Sequence, residues 1–209
     1  MMFETKVAIK DYLWLFKYNN IDNFKLYKTC CEIEKELIKK FPKIENNKYG
    51  CFTSYYHTEY NLFSFPCTEL HKLYNNLCYS FNRVLNTETS YYFRCWVNLF
   101  KKQKNIDWHS HWPPELKTYH GFYCVNTEGK NESYTDYRLK GKNDILRVKS
   151  RNGLCVFGKS EKDEHKSSEW LNEGYRVTIA FDVIPVEALR KEEKFTHNFL
   201  HNYIPLYKI

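Results

Sequence analysis

The chain has 209 residues, of which 43% are hydrophobic and 18% aromatic, and its formal net charge at pH 7 is +7. This length and composition suit one domain with a sizeable core, with or without an extension. The eight cysteines include no CxxC pair, which argues against a zinc ribbon or a thioredoxin-type redox motif. The mild basic excess is spread along the chain, and no arginine-rich arm or RNP-type motif supports nucleic-acid binding.

Membrane and export signals are not evident in the sequence. No stretch is apolar over the length of a membrane span, and the first residues carry charges where a signal peptide would be apolar. Several cysteines lie inside apolar runs, as buried free thiols do. We therefore expect a cytoplasmic protein, in the host cytoplasm if the protein is viral.

The first 88 residues show helical periodicity. Residues 28–41 and 67–85 space their apolar side chains at helical intervals, and Thr68-Glu69 suits a helix start. We predict a helical N-terminal part, residues 1–88, that packs on the core or helps to pair two protomers in a homodimer.

From residue 89 the pattern changes to short β-strands separated by turn sequences such as Asn152-Gly153. The predicted strands cover residues 91–101, 117–126, 134–140, 144–150, 153–157 and 175–184. Short, closely spaced strands with few helical intervals favour a sandwich or a small barrel. We predict a β core over residues 89–187 and a C-terminal segment, residues 188–209, that packs on it.

Three histidines form a candidate metal site. His109 and His111 lie two residues apart, so that in a strand their imidazoles project from the same face. His165 follows after several predicted strands, and a barrel can bring such a strand beside the first pair. Two ligands from one strand and one from a remote strand make a facial triad with open coordination positions. The other five histidines, His120 among them, are predicted to be structural or surface groups.

A candidate anion site follows the third histidine. Ten residues separate His165 from Arg176, and Arg176 and Thr178 share one face of a predicted strand. A guanidinium matches a carboxylate with two parallel hydrogen bonds, and a nearby hydroxyl can add a third. The far end of a dicarboxylate would satisfy this pair.

The order His109-x-His111, His165 and Arg176-x-Thr178 resembles the Fe(II)/2-oxoglutarate-dependent oxygenase superfamily. Residues 153–157 look like that family's Gly-apolar-Phe strand before the distal histidine. More narrowly, residues 96–98, the HxH pair and residues 120–123 look like an oxygenase branch of phages and bacteria. The resemblance covers residues 90–185 and implies a mainly β (α+β) protein with a double-stranded β-helix, or cupin-like jelly-roll, core.

The resemblance also implies an activity and its residues. The protein would be an Fe(II)- and 2-oxoglutarate-dependent dioxygenase that uses O2, hydroxylates or demethylates an unidentified substrate, and releases succinate and CO2. The implied metal ligands are His109, His111 and His165. The implied co-substrate-binding residues are Arg176, Thr178, Tyr123, Tyr119 and Asn98.

The chain departs from the family at the second ligand, which is normally a carboxylate and here is His111. Asp107 and Glu115 are alternative ligands. His109, His111, Glu115 and Gly121 also resemble the first motif of cupins, so a cupin-type metal enzyme that uses these two histidines, Glu115 and His165 is one alternative reading. A non-catalytic binding module that kept the fold is another. The Arg176-x-Thr178 pair, which has no role in a cupin, favours the oxygenase.

The sequence gives few indications of the substrate. Trp112 and Trp108 flank the HxH pair and are the candidates for substrate contact. Such aromatic side chains can stack on bases, but they serve equally as packing at a rim. A nucleic acid, a peptide and a small metabolite all remain open.

Overall fold

The computed structural model describes residues 7–9, 13–41, 51–57, 59–85, 88–138, 144–161, 163–191 and 202–208. The strands are β1 (Val7–Ile9), β2 (Leu13–Lys17), β3 (Phe52–Thr53), β4 (Tyr91–Phe100), β5 (Tyr119–Asn126), β6 (Tyr134–Arg138), β7 (Ile145–Lys149), β8 (Leu154–Lys159), β9 (Glu164–Ser167), β10 (Arg176–Pro185) and β11 (Ile204–Pro205). The α-helices are α1 (Asn23–Lys40), α2 (Thr68–Val84) and α3 (Val186–Lys191).

The strands form two antiparallel sheets. The larger sheet has the order β1-β2-β8-β5-β10-β4-β11, with β3 added to β4, and the smaller sheet has the order β7-β6-β9. Apolar side chains from both sheets, among them Phe122 and Tyr137, pack together in one cluster. The two sheets therefore lie face to face, and the predicted jelly-roll architecture is confirmed.

The outer face of the larger sheet packs against the helices α1 and α2. Odd-numbered residues of β10, such as Ile179 and Phe181, share a core with Leu77 and Phe81 of α2. The rings of Phe81 and Phe157 stack with their centroids 4.1 Å apart. Because both faces of this sheet are covered, all ten residues of its central strand β10 are buried.

The inner face of the larger sheet carries polar groups among its apolar ones. Even-numbered residues of β4 and β10 point toward the smaller sheet, and Asn98 lies directly opposite Thr178 in the register. Both residues are buried. The alternation of side chains along a β-strand thus separates the face that packs on the helices from the face that can hold functional groups.

Several elements differ from the sequence-based prediction. The N-terminal part contributes the strands β1, β2 and β3 as well as helices, and β9 was not predicted. Helix α1 begins at Asn23 rather than near residue 28, because the side chain of Asp22 accepts hydrogen bonds from the amides of Phe24 and Lys25. In the C-terminal segment, β11 pairs with β4. Among the residues that the structure describes, no helix is long and apolar enough to cross a membrane.

Candidate metal and co-substrate site

A cavity of about 580 Å³ opens on the inner face of the larger sheet. Its walls come from β4, β5, β6, β9 and β10, from the segment that carries the HxH pair, and from residues 53–56. The candidate ligands and the candidate anion site both line it: His109, His111, His165, Asn98, Arg176 and Thr178. The fold therefore brings together residues that lie up to 80 positions apart in the chain.

A backbone bridge places the first and third histidines side by side. The amide of His109 donates to the carbonyl of His165 at 3.1 Å, and the amide of His165 donates back at 3.0 Å. The two imidazole centroids are 4.3 Å apart, and that of His111 is 5.2 Å from that of His165. One ligand atom from each of the three histidines lies within 4.8 Å of the others. This spacing is compatible with binding one metal ion.

Hydrogen bonds at Nδ1 orient the rings of His109 and His111. The Nδ1 of His109 lies 2.8 Å from the carbonyl oxygen of Asp107, and the Nδ1 of His111 lies 2.8 Å from a carboxylate oxygen of Asp182. With Nδ1–H donating in both rings, Nε2 is the atom available as a ligand. A carboxylate behind a ligating histidine is a common arrangement in metal sites. Asp182 is buried and lines the same cavity.

The surroundings favour neutral imidazoles. Burial, followed by the charges of the neighbouring histidines, lowers the pKa of His165 well below its usual value. Burial and His111 lower the pKa of His109 in the same way. Neutral imidazole is the form that binds metals, so burial favours metal binding by keeping these rings unprotonated.

Arg176 has the properties of an anion site. Its side chain is fully buried, and within the described residues its Nη atoms donate to two neutral oxygens, the carbonyl of Ser168 at 3.3 Å and the hydroxyl of Ser150 at 3.2 Å. Its Nε has no hydrogen-bond partner in the described part of the chain. Burial lowers the pKa of Arg176, as expected for a cation without a counter-ion. A carboxylate in the cavity would supply the missing charge and partner.

A second group of potential ligands lies deeper in the protein. His120, Asp163 and His165 also bring one ligand atom each within 4.8 Å of one another, and all three are buried. The Nε2 of His120 is 3.3 Å from a carboxylate oxygen of Asp163. Burial raises the pKa of Asp163 to about 6 and lowers that of His120 well below its usual value. Of this group, only His165 lines the cavity.

His120, which the sequence predicts to be a structural or surface group, is buried beside the candidate ligands. Its ring stacks on those of His111 and His165, with centroids 4.3 and 4.9 Å away. The signal that could have identified it is the parity of β5. Tyr119 and Tyr123 pack on the helix side of β5, so the even-numbered His120 projects from the opposite face, where the candidate ligands lie.

The structure does not bring the two predicted tyrosines into the cavity. Tyr123 lies in the helix-side core, where its hydroxyl donates to the side chain of Asn23 at 2.8 Å. Tyr119 packs on the same side, against Tyr91 and Phe81. Both tyrosines are therefore on the opposite face of β5 from the histidines, and their predicted contact with the co-substrate is corrected.

The alternative carboxylate ligands are also displaced from the site. Asp107 is exposed, and its side chain accepts a hydrogen bond from the amide of Trp108 at 2.8 Å. Glu115 is exposed on a short 3-10 helix, Pro114–Leu116. Neither belongs to a group of potential ligands in the described residues. The carboxylate that contacts the HxH pair is instead that of Asp182, which forms a hydrogen bond with His111.

The two tryptophans have different positions. Trp112 lines the cavity. Trp108 lies outside it, with the guanidinium of Arg138 at 3.9 Å and the ammonium of Lys166 at 4.9 Å from its ring centroid. Trp112 therefore remains a candidate for substrate contact, whereas Trp108 packs against cations of the smaller sheet.

The residues present fit an Fe(II) centre with a bound dicarboxylate. The buried Nδ1 of His165, the buried Nε of Arg176 and the buried Oδ1 of Asn98 all lack hydrogen-bond partners in the part of the chain that the structure describes. Unpartnered buried polar atoms are uncommon and call for a ligand or an ion. Three imidazoles suit a first-row transition metal, and three protein ligands leave coordination positions open.

Comparison with solved structures identifies the fold. No family model matches the sequence, and no curated protein matches it. The chain superposes on a prolyl hydroxylase from Trichoplax adhaerens, in complex with a hypoxia-inducible-factor peptide, with a TM-score of 0.60 at 10% identity over 88% of each chain. For a Pseudomonas putida prolyl-4-hydroxylase the TM-score is 0.54 at 11% identity, over 78% of this chain and 85% of that one.

A third similar structure is SnoK, a non-haem α-ketoglutarate-dependent carbocyclase from nogalamycin biosynthesis. Its TM-score is 0.56 at 10% identity, over 84% of this chain and 80% of that one. At such low identities the likeness establishes a shared fold, which is the double-stranded β-helix of these oxygenases.

Proposed function

We propose that this protein is an Fe(II)- and 2-oxoglutarate-dependent dioxygenase. The observation that carries the proposal is the presence of two complementary sites in one cavity. A three-histidine cluster and the buried Arg176, which has no ion-pair partner among the residues that the structure describes, both line it. The fold shared with non-haem oxygenases supports the same reading.

Each group would have a defined role. His109, His111 and His165 would hold Fe(II), and Arg176 with Thr178 would bind the distal carboxylate of 2-oxoglutarate. Asn98, directly opposite Thr178, would contribute an amide to the co-substrate pocket. When bound, Fe(II) with 2-oxoglutarate and O2 supplies the oxidising power to hydroxylate a substrate C–H bond, with release of succinate and CO2.

The protein's own contribution is orientation and exclusion of water. Asp182 holds the His111 ring with Nε2 free, and the backbone bridge holds His109 against His165. The apolar residues of both sheets close the base of the cavity. A cupin-type site with Glu115 as a ligand is disfavoured because that side chain is exposed. A binding module that had lost its metal chemistry would have no need to keep three histidines beside Arg176 in one cavity.

Turnover of 2-oxoglutarate tests the proposal without knowledge of the substrate. Enzymes of this kind are expected to convert some 2-oxoglutarate to succinate and CO2 when Fe(II) and O2 are supplied alone. We expect succinate from the wild type in amounts that depend on Fe(II) and O2, and none above background from His165→Ala. Equal succinate from both proteins, measured by mass spectrometry, would contradict the proposal.

Asp182 should control the affinity for the metal through His111. We expect Asp182→Asn to weaken Fe(II) binding about 10- to 100-fold, the usual effect of removing a partner behind a ligating histidine. In a His111→Asp background, which places a carboxylate at the ligand position, the same change should have little effect. Anaerobic Fe(II) titration of the four proteins measures both effects. Equal losses in the two backgrounds would mean that Asp182 acts independently of His111.

A further inference from the structure

The cavity contains a second buried arginine, Arg94, which the proposed reaction does not use. It lines the cavity from β4, directly opposite Asp182 of β10, and is only 8% exposed. Arg176 lies opposite Phe100, six positions further along the same pair of strands. At the rise of a β-strand, the two arginines are about 20 Å apart along the strand axis. One molecule of 2-oxoglutarate is far too short to reach both.

The guanidinium of Arg94 is held in a fixed position. Its Nη2 donates to the carbonyl oxygen of Tyr55 at 2.9 Å, and its centre lies 4.0 Å from the centroid of the Tyr55 ring. The Trp96 ring packs edge-on against that of Tyr55, with centroids 5.1 Å apart. A guanidinium stacked on an aromatic ring keeps its edge donors free for a carboxylate or a phosphate.

No carboxylate neutralises Arg94 in the described part of the protein. Asp182 faces it across the two strands, yet this carboxylate bonds His111 and forms no ion pair with the arginine. A buried cation without a paired anion is costly, so its retention in a cavity wall points to a ligand.

The charges in the cavity lead to the same conclusion. Among the described residues that line it, the acidic and basic ones other than histidine are Arg94, Arg176 and Asp182. With the co-substrate bound, one carboxylate of 2-oxoglutarate would pair with Arg176, and its other carboxylate together with Asp182, which bonds His111, would offset the two charges of Fe(II). One positive charge is left over with the co-substrate bound. The group left without an anion in this assignment is Arg94.

We propose that Arg94 binds an anionic group of the primary substrate, a carboxylate or a phosphate, and that Tyr55, Trp96 and Trp112 surround the substrate's apolar body. This inference rests on the proposed dioxygenase function, because the charge count includes Fe(II) and 2-oxoglutarate. Asp182 connects the two sites, since it faces Arg94 and bonds His111. The anionic group would therefore be held on the side of the metal away from Arg176.

Binding of matched aromatic probes tests the inference. Anaerobic protein loaded with Fe(II) and 2-oxoglutarate is titrated with benzoate, with phenyl phosphate and with the neutral analogue benzamide, and tryptophan fluorescence and the visible charge-transfer band are followed. We expect saturable binding of at least one anion, with benzamide about 10- to 100-fold weaker, the range for a hydrogen bond to a charged group. The tighter of benzoate and phenyl phosphate identifies the class of anion.

Variants assign the preference to the residue. Arg94→Gln should lose the preference for anions, and Arg94→Lys should keep part of it. Arg151→Gln, at an exposed arginine that does not line the cavity, serves as the matched control and should bind like the wild type. Circular dichroism establishes that each variant is folded.

Two results would overturn the inference. One is equal binding of benzoate and benzamide by the wild type, which needs no variant. The other is an undiminished anion preference in folded Arg94→Gln. Absence of the charge-transfer band in the wild type would instead contradict the dioxygenase function. Fluorescence still reports anion binding in that case, so the two failures are distinguishable.

Discussion

Replacing His165 with alanine is expected to weaken Fe(II) binding by more than about 100-fold, since loss of a direct ligand should exceed the effect of losing a partner behind a ligand. His165 belongs to both groups of potential ligands and lines the cavity. Its removal therefore disrupts the site wherever the ion lies. Competition with a chromophoric chelator under anaerobic conditions measures the change.

Two further variants locate the ion. If it binds on the cavity side, His111→Ala should be as damaging as His165→Ala, and Asp163→Asn should have a much smaller effect. If it binds in the deeper group, this order is reversed. His71→Ala is the control, because His71 is exposed on α2 and belongs to neither group. Unchanged Fe(II) affinity in His165→Ala would contradict the three-histidine site.

Replacing Arg176 with alanine is expected to raise the dissociation constant for 2-oxoglutarate by two to three orders of magnitude. Truncation of one partner of a buried, hydrogen-bonded charge pair typically costs about 2–5 kcal/mol, or about 30- to 5,000-fold. Arg176→Lys retains the charge but not the forked geometry and should be intermediate. Isothermal titration of the Fe(II)-loaded protein without O2 measures all three proteins.

Fe(II) affinity separates this effect from a general loss of structure. We expect Arg176→Ala to bind Fe(II) nearly as well as the wild type, because its guanidinium contacts Ser168 and Ser150 and no histidine. Arg147→Ala is the matched control, since Arg147 is an exposed arginine of β7 that pairs with Asp136. Unchanged 2-oxoglutarate affinity in Arg176→Ala would show that the co-substrate binds elsewhere or not at all.

The site could be predicted from the sequence where its signals are local. The HxH spacing, the distal histidine and the Arg-x-Thr pair each depend on residues a few positions apart, and the cavity contains all of them. The position of α2 was predicted almost to the residue, because its apolar side chains follow the helical period without interruption.

The errors arose where a strand is covered on both faces. In β5, six consecutive residues are buried, so the alternation separates Tyr119 and Tyr123 from His120 but does not indicate which of the two faces carries the site. The strand β9 was not predicted because its sequence, EHKS, is short and polar. Its pairing with β6 depends on residues that are distant in the chain. Asp182 lies within an apolar run that reads as core, and only its contact with His111 identifies its role.

The most direct test of the central claim is the visible spectrum of the anaerobic protein during titration with Fe(II) and then with 2-oxoglutarate. If His109, His111 and His165 hold Fe(II) and Arg176 places 2-oxoglutarate beside it, a metal-to-ligand charge-transfer band should appear. It should saturate at one equivalent of co-substrate, disappear in His165→Ala and require far more 2-oxoglutarate in Arg176→Ala. Stoichiometric Fe(II) binding without any such band would contradict this account.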